Sequence, residues 1–180
     1  MIGSCPAGLI SQVRRLFSRQ FEGPTGTDIT PYWAYLGTGN AMFRMASVLT
    51  GPDPFDPRFN ESGGEDVWLI KGHVRQGKRL LWNQEALVEE LVPAERMTLG
   101  YLKSRKFDHG RLRCVFMHGD GGIAGKARAA VWMGAGLIQF CAFAPAAMLS
   151  RVIATGRVAD FECRAAGGLG KLLWWRLAKR

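Results

Sequence analysis

The sequence predicts an α/β first half followed by mainly helical, membrane-associated segments. Three observations carry that expectation. Residues 31–92 alternate short apolar runs with loops dense in Gly and Pro, as brief strands and helices joined by turns do. Ala129 to Ser150 then runs for 22 residues without a charge. Finally, charge is split along the 180-residue chain. Residues 1–97 hold 10 Lys and Arg against 11 Asp and Glu, whereas residues 98–180 hold 14 against 4, so the whole excess of +9 belongs to the second half. A partner drawn by that charge would touch that half, and anionic lipid, nucleic acid and a phosphorylated substrate are the chemical candidates.

The elements follow in order. Ala7 to Gln20 places Leu9, Ile10, Val13, Leu16 and Phe17 at helical spacing, with Arg14, Arg15 and Arg19 between them. GPTGTDITP is a loop. YWAYLGTGNAMFRM reads as extended segments interrupted at Gly37-Thr38-Gly39-Asn40, where a turn or a close backbone approach is expected. TGPDPFDPRFNESGG is a second loop, rich in Pro and Gly. From Glu65 to Gln76, the residues Val67, Trp68, Ile70, Lys71 and Val74 suit a short helix closed by Gly77. KRLLWNQEALVEEL has the look of one or two short strands. Pro93 stands where helices begin, and AERMTLGYLKSRKF continues with helical spacing and a basic end. The divisions expected are 1–30, an N-terminal helix and loop; 31–110, the mixed α/β part; and 111–180, apolar and basic amphipathic helices.

As a helix, Ala129–Ser150 would be about 33 Å long, close to the hydrocarbon thickness of a bilayer. Lys126, Arg128 and Arg151 flank it like snorkelling anchors. Its Ala and Gly content, with Gln139 and Pro145 inside, leaves a buried core helix as the other reading. RVADFECRAAGGLGKLLWWRLAKR mixes basic residues with Trp and Leu as an interfacial helix does, and Gly167, Gly168 and Gly170 would weaken or bend it. No recognised nucleic-acid motif supports reading the same charge as a nucleic-acid surface, so the membrane surface is the partner expected.

The four cysteines (Cys5, Cys114, Cys141, Cys163) are scattered without a C-x-x-C pair, which supports neither a zinc site nor a redox motif and is the pattern of reduced thiols. The three histidines are dispersed, and no metal ligand is assigned among them. MIGSCPAGLISQVRRLF lacks the basic flank and apolar core of a signal peptide.

One stretch raises a question of chemistry. In Gly63-Gly64-Glu65-Asp66, two carboxylates stand where flexible backbone gives way to a helix. Carboxylates there complement the helix dipole and accept from its free N–H groups. They could equally serve a reaction, and the stretch alone favours neither.

Context comes from several segments in sequence: the Thr38-Gly39-Asn40 turn, Phe55-Asp56-Pro57-Arg58-Phe59, Gly63-Gly64-Glu65-Asp66, the strand-like run through Trp82, Ala86-Leu87-Val88-Glu89, and Val92-Pro93-Ala94-Glu95-Arg96 opening a basic helix. In this order and spacing, roughly over residues 17 to 110, the chain resembles glycosyltransferase family 2, and within it the bacterial subgroup linked to succinoglycan-type exopolysaccharide assembly.

The resemblance implies the C-terminal, acceptor-side part of a GT-A Rossmann-like domain at the cytoplasmic face of a bacterial inner membrane. It implies an inverting transfer from a nucleotide-sugar donor to a lipid-linked or polysaccharide acceptor. Asp66 would be the general base and Glu65 its neighbour; Gly63 and Gly64 would let backbone approach the sugar. Thr38, Gly39 and Asn40 would border the same cleft, or serve only as a turn. The family's intact members precede this part with a nucleotide-binding half whose Asp-x-Asp motif holds Mg2+ or Mn2+ and the donor diphosphate. Here one short helix precedes residue 17, and DPFDPRF falls after the Thr-Gly-Asn turn, so no ligand of that metal is assignable. The chain is therefore expected to transfer sugar very poorly alone, and a partner chain could supply the donor half. A non-catalytic membrane-associated module and a basic nucleic-acid-binding protein are the rival expectations.

Overall fold

A computed structural model describes residues 5–49, 53–60, 63–119, 121–153 and 156–175. The helices are α1 (Ile10–Phe17), α2 (Met45–Val48), α3 (Glu65–Arg75), α4 (Leu99–His118), α5 (Gly122–Val152) and α6 (Val158–Leu172). Short 3₁₀ turns cover Thr30–Tyr35, Pro57–Phe59 and Ala94–Met97. The chain divides into two compact units, one of Met1–Arg19 with Glu90–Arg180 and one of Gln20–Glu89.

The α/β expectation is overturned. Among the described residues there are helices and no strand, which is inconsistent with a GT-A Rossmann-like sheet. The physical reason lies in residues 79–88, an apolar run with too little to pair with. Trp82 N–H donates to Thr27 O at 2.9 Å, Gly26 N–H to Trp82 O at 2.8 Å and Ile29 N–H to Leu80 O at 2.9 Å. That contact yields a single antiparallel bridge, Asp28 to Leu81. It cannot extend, because Asp28 accepts from Thr30 N–H and turns the chain into the 3₁₀ segment. The Tyr32–Tyr35 stretch expected to be extended lies in that 3₁₀ turn instead.

The unit built from the chain ends is a helical bundle. Val13 and Leu16 of α1 meet Met97, Leu102 of α4 and Cys163 of α6 in one core cluster. Thr98 starts α4, its hydroxyl accepting from Tyr101 N–H at 3.3 Å. Asp160 of α6 ties the same region to α1, accepting from Gln12 Nε2 at 2.7 Å and from Arg15 at 3.0 Å. Pro145 does not break α5, which continues to Val152.

The α4, α5 and α6 helices approach through small residues. Gly110, Gly125, Ala129, Gly136, Ala147, Ala165, Gly167, Gly168 and Gly170 are all buried. The glycines expected to bend the last segment are the positions where α6 meets its neighbours. Arg176, Lys179 and Arg180, part of that segment's basic character, lie outside the described residues.

Polar groups close the bundle. Gln139 of α5 accepts from Lys171 Nζ at 2.6 Å and donates to the Arg164 carbonyl at 2.7 Å. Glu162, 6% exposed, accepts from Lys103 Nζ at 2.7 Å and from Arg151 Nε at 2.7 Å. Burial alone would push the Glu162 carboxyl up, but the hydrogen bonds and charges of Lys103 and Arg151 outweigh it and hold it below its ordinary value. A depressed carboxylate contributes stability that is present above its unfolded value of 4.5 and is lost as pH falls through its lower folded value. Glu162→Gln should therefore cost about 2–3 kcal/mol at pH 7, less than a fully buried pair because both cations reach solvent. It should also flatten the acid limb of a urea-unfolding series run between pH 6 and pH 3.

Candidate functional site

The acid pair sits at the head of α3, within the Gln20–Glu89 unit. Gly63 and Gly64 both have left-handed backbone, with φ of 70° and 100°. A side chain is strained there, so glycine is what lets the chain turn from the Pro57–Phe59 segment into the helix. Gly64 is the residue before the first turn, and its carbonyl accepts from Trp68 N–H at 2.9 Å.

Asp66, inside the first turn, satisfies one of its free N–H groups: its Oδ1 accepts from Val67 N–H at 2.6 Å, while the cap position itself is Gly64 and makes no side-chain bond. Glu65 differs, since its Oε2 is buried with no hydrogen-bond partner. A buried, unpartnered carboxylate oxygen costs free energy. Two adjacent carboxylates suit the hydroxyls of a sugar, which donate to them. They are unsuited to a bare diphosphate, which like charge repels.

A cationic and aromatic cluster surrounds the same helix. Arg58 forks onto Asp56, its Nε 3.0 Å from Oδ1 and the NH2 group 2.5 Å from Oδ2. That hydrogen bonding holds Asp56 below its ordinary pKa and Arg58 above it. The Arg58 guanidinium also lies 5.7 Å from the Trp68 ring centre, and the Lys71 ammonium 5.2 Å from Trp68 and 5.9 Å from Trp33. Lys71 is 5% exposed, and Phe59 packs 5.5 Å from Trp68. The Thr30–Tyr35 turn lies against α3 and presents Tyr32 and Tyr35 to solvent.

The structure thus brings Gly63, Gly64, Glu65 and Asp66 together at one helix head. Thr38, Gly39 and Asn40 form a bend and turn, as expected from the glycines. The Asn40 amide donates to Ala86 O at 2.7 Å, which commits that turn to residues 79–88. Sequence reasoning placed Trp68 and Lys71 on the helix and Arg58 in the Phe55–Phe59 motif without assigning them to the site, and gave Trp33 no role. The usable signal was the Trp68–Lys71 pair at i,i+3 on a helix, preceded by an Asp-Pro-Arg turn.

Among the described residues no three His, Cys, Asp or Glu side chains converge as metal ligands. Glu65 and Asp66 by themselves make an incomplete shell for Mg2+, which demands octahedral oxygen donors. These residues therefore do not fit the divalent metal that the resemblance implies.

In the other unit, α5 is long and apolar enough to cross a membrane, by length and composition. A groove of about 280 Å³ runs beside it, lined by Phe140, Ala147, Met148 and Leu169 together with Lys103, Arg151 and the Glu162 that both of them bond. Cys114 and Cys163 are buried and Cys141 is exposed. Burial pushes the Cys114 thiol up to about 11 and raises Cys163 as well.

Compared with known proteins, the chain is 34% identical over 98 residues to the succinoglycan biosynthesis protein ExoM of Rhizobium meliloti (strain 1021). The alignment covers 49% of this chain and 32% of that protein, so the chain spans about a third of the length of the curated relative it matches. No family model matches the chain, and no solved structure matches it significantly.

Proposed function

We propose that this chain is the acceptor-side portion of a glycosyltransferase of exopolysaccharide assembly, working at the cytoplasmic face of a bacterial inner membrane. The partial match to a succinoglycan biosynthesis protein carries the reading. The acid pair behind two left-handed glycines supports it, as does the apolar α5.

In this reading the acceptor is a lipid-linked or polysaccharide sugar whose hydroxyl is held by Glu65 and Asp66. The hydroxyl oxygen attacks the anomeric carbon of a nucleotide-sugar. Its proton passes to the Asp66 carboxylate, the bond from the anomeric carbon to the diphosphate breaks, and the nucleoside diphosphate leaves with the electron pair. In-line attack inverts the anomeric centre. Thr38, Gly39 and Asn40 border the acceptor on the family resemblance alone, since the structure bonds their turn to residues 79–88. Donor, metal and leaving-group stabilisation, usually the largest catalytic contribution, come from protein outside this chain, so the chain alone transfers sugar very poorly.

Saturation-transfer NMR on the purified chain tests this. Succinoglycan oligosaccharides should show contact with the protein, and Glu65→Gln should weaken that contact several-fold. A nucleotide-sugar under the same conditions should show neither contact nor turnover. Robust turnover by this chain would overturn the division between acceptor and donor sides. Absence of any oligosaccharide contact would overturn the acceptor site.

A further inference from the structure

We propose that α5 lies along one leaflet of an anionic membrane and does not cross it. Its outer face sits at the boundary between headgroups and acyl chains. The inference rests on the two sides of this one helix and is independent of sugar transfer.

The outer side is the reverse of a soluble surface helix, whose exposed face is polar. Val131, Ile138 and Met148 are 71%, 74% and 71% exposed, and Leu137, Cys141 and Leu149 are exposed beside them. No charge occurs from Ala129 to Ser150. A contiguous exposed apolar face of this extent marks an interaction surface.

The inner side shows why the helix lies flat. Gly125, Ala129, Gly136, Ala147 and Ser150 are buried at intervals along α5, on the side that packs against α6 and α4. Those neighbours bring charge to its middle. Lys171 Nζ is bonded to Gln139 near the centre of α5, the Arg164 guanidinium lies 5.1 Å from the Phe143 ring centre, and Arg113 lies 5.0 Å from that of Trp132. Spanning would carry these cations, and the Asp160 that pairs with Arg164 at 2.9 Å, into the hydrocarbon, where burying charged and ion-paired side chains is costly.

Lying flat removes the conflict. The outer face enters the interface, and α4 and α6 stay on the water side. Lys126 and Arg128 flank its start and Arg151, already bonded to Glu162, its end, within a second half of the chain that carries 14 Lys and Arg against 4 Asp and Glu. That charge complementarity commits the partner to anionic lipid.

Two cysteine experiments on the whole chain test the proposal. With Cys5→Ser removing the other accessible thiol, Cys141 should react with a membrane-impermeant maleimide in buffer. Vesicles containing phosphatidylglycerol should slow that reaction at least tenfold, and vesicles of phosphatidylcholine alone should slow it far less. Lys126→Gln with Arg128→Gln should weaken vesicle partitioning about fivefold per cation removed. For topology, Ala124→Cys and Gly156→Cys are each placed in a Cys5→Ser, Cys141→Ser background and bound to preformed vesicles; both positions are exposed. Both should react with the impermeant reagent added outside. One end reacting only after detergent would show that the helix crosses, and would overturn the proposal. Cys141 reacting equally with and without anionic vesicles would overturn it too. So would Cys141 protected in buffer in a protein that sediments as a dimer, since a second copy would then cover the face.

Discussion

In any preparation that transfers sugar through this chain, Asp66→Asn should lower the transfer rate by about 10²- to 10⁴-fold, the range that positioned acid–base groups contribute. Unfolding midpoints should be almost unchanged. The contrast follows from what Asp66 does structurally. Its Oδ1 accepts from Val67 N–H at 2.6 Å, and an asparagine oxygen in the same place accepts that bond nearly as well. Asparagine lacks the basicity to take a proton from a hydroxyl. If the carboxylate served only that N–H, Asp66→Asn would be close to neutral in rate and in stability. Asp66→Ala, which removes acceptor and base together, should lose the activity and also about 1 kcal/mol of stability. Rates measured beside urea midpoints for the two variants separate the roles, and a fully active Asp66→Asn protein would end the base assignment.

Gly170→Ala should be among the most destabilising single-methyl changes in the chain, at about 3 kcal/mol or more, the upper end of the overpacking range. The added Cβ would stand 2.0 Å from the Phe107 carbonyl oxygen. That atom belongs to the α4 backbone and cannot rotate away, so the two helices would have to separate. Gly110→Ala meets the same interface from the other side, 2.2 Å from the Gly167 carbonyl oxygen. Since one separation relieves both clashes, the double variant should cost less than the sum of the singles. Gly134→Ala is the internal control. It lies in α5 with no atom within 4 Å of the added carbon, and the helix-propensity gain should stabilise by about 0.5–1 kcal/mol. Thermal and urea unfolding of the four proteins would test the series.

The same glycines mark where sequence reasoning stopped. Their spacing in α6 was visible, but propensity treats Gly167, Gly168 and Gly170 as weaknesses. Only the positions of α4 and α5 make them contact points. The length and lack of charge of α5 were legible because they are properties of one segment. Its inside-out character was not, since the small residues face its neighbours and the large ones face outward. Local pattern makes strands of the short runs through Leu80–Trp82 and Ala86–Val88. A strand is a property of pairs, and a local apolar pattern says nothing about whether a partner is present. By contrast, the start of α3 at Glu65 and its end before Gly77 were legible, because the left-handed glycines at 63, 64 and 77 act locally. The place of Glu65 and Asp66 at the helix head was legible for the same reason. The Lys71–Trp68–Trp33 cluster required the fold of Thr30–Tyr35 onto α3.

The small-residue contacts among α4, α5 and α6 also bear on how the bundle responds to temperature. Helices that meet through glycine and alanine remove little apolar area from water, and their contact is largely backbone against backbone. The heat-capacity increment of unfolding scales with apolar area exposed and is offset by polar area. Per residue, this bundle should therefore show a smaller increment than a leucine-packed one, and a broader, flatter stability curve. Cooling would weaken it little, because the hydrophobic contribution that fades in the cold supplies a lesser share of its cohesion.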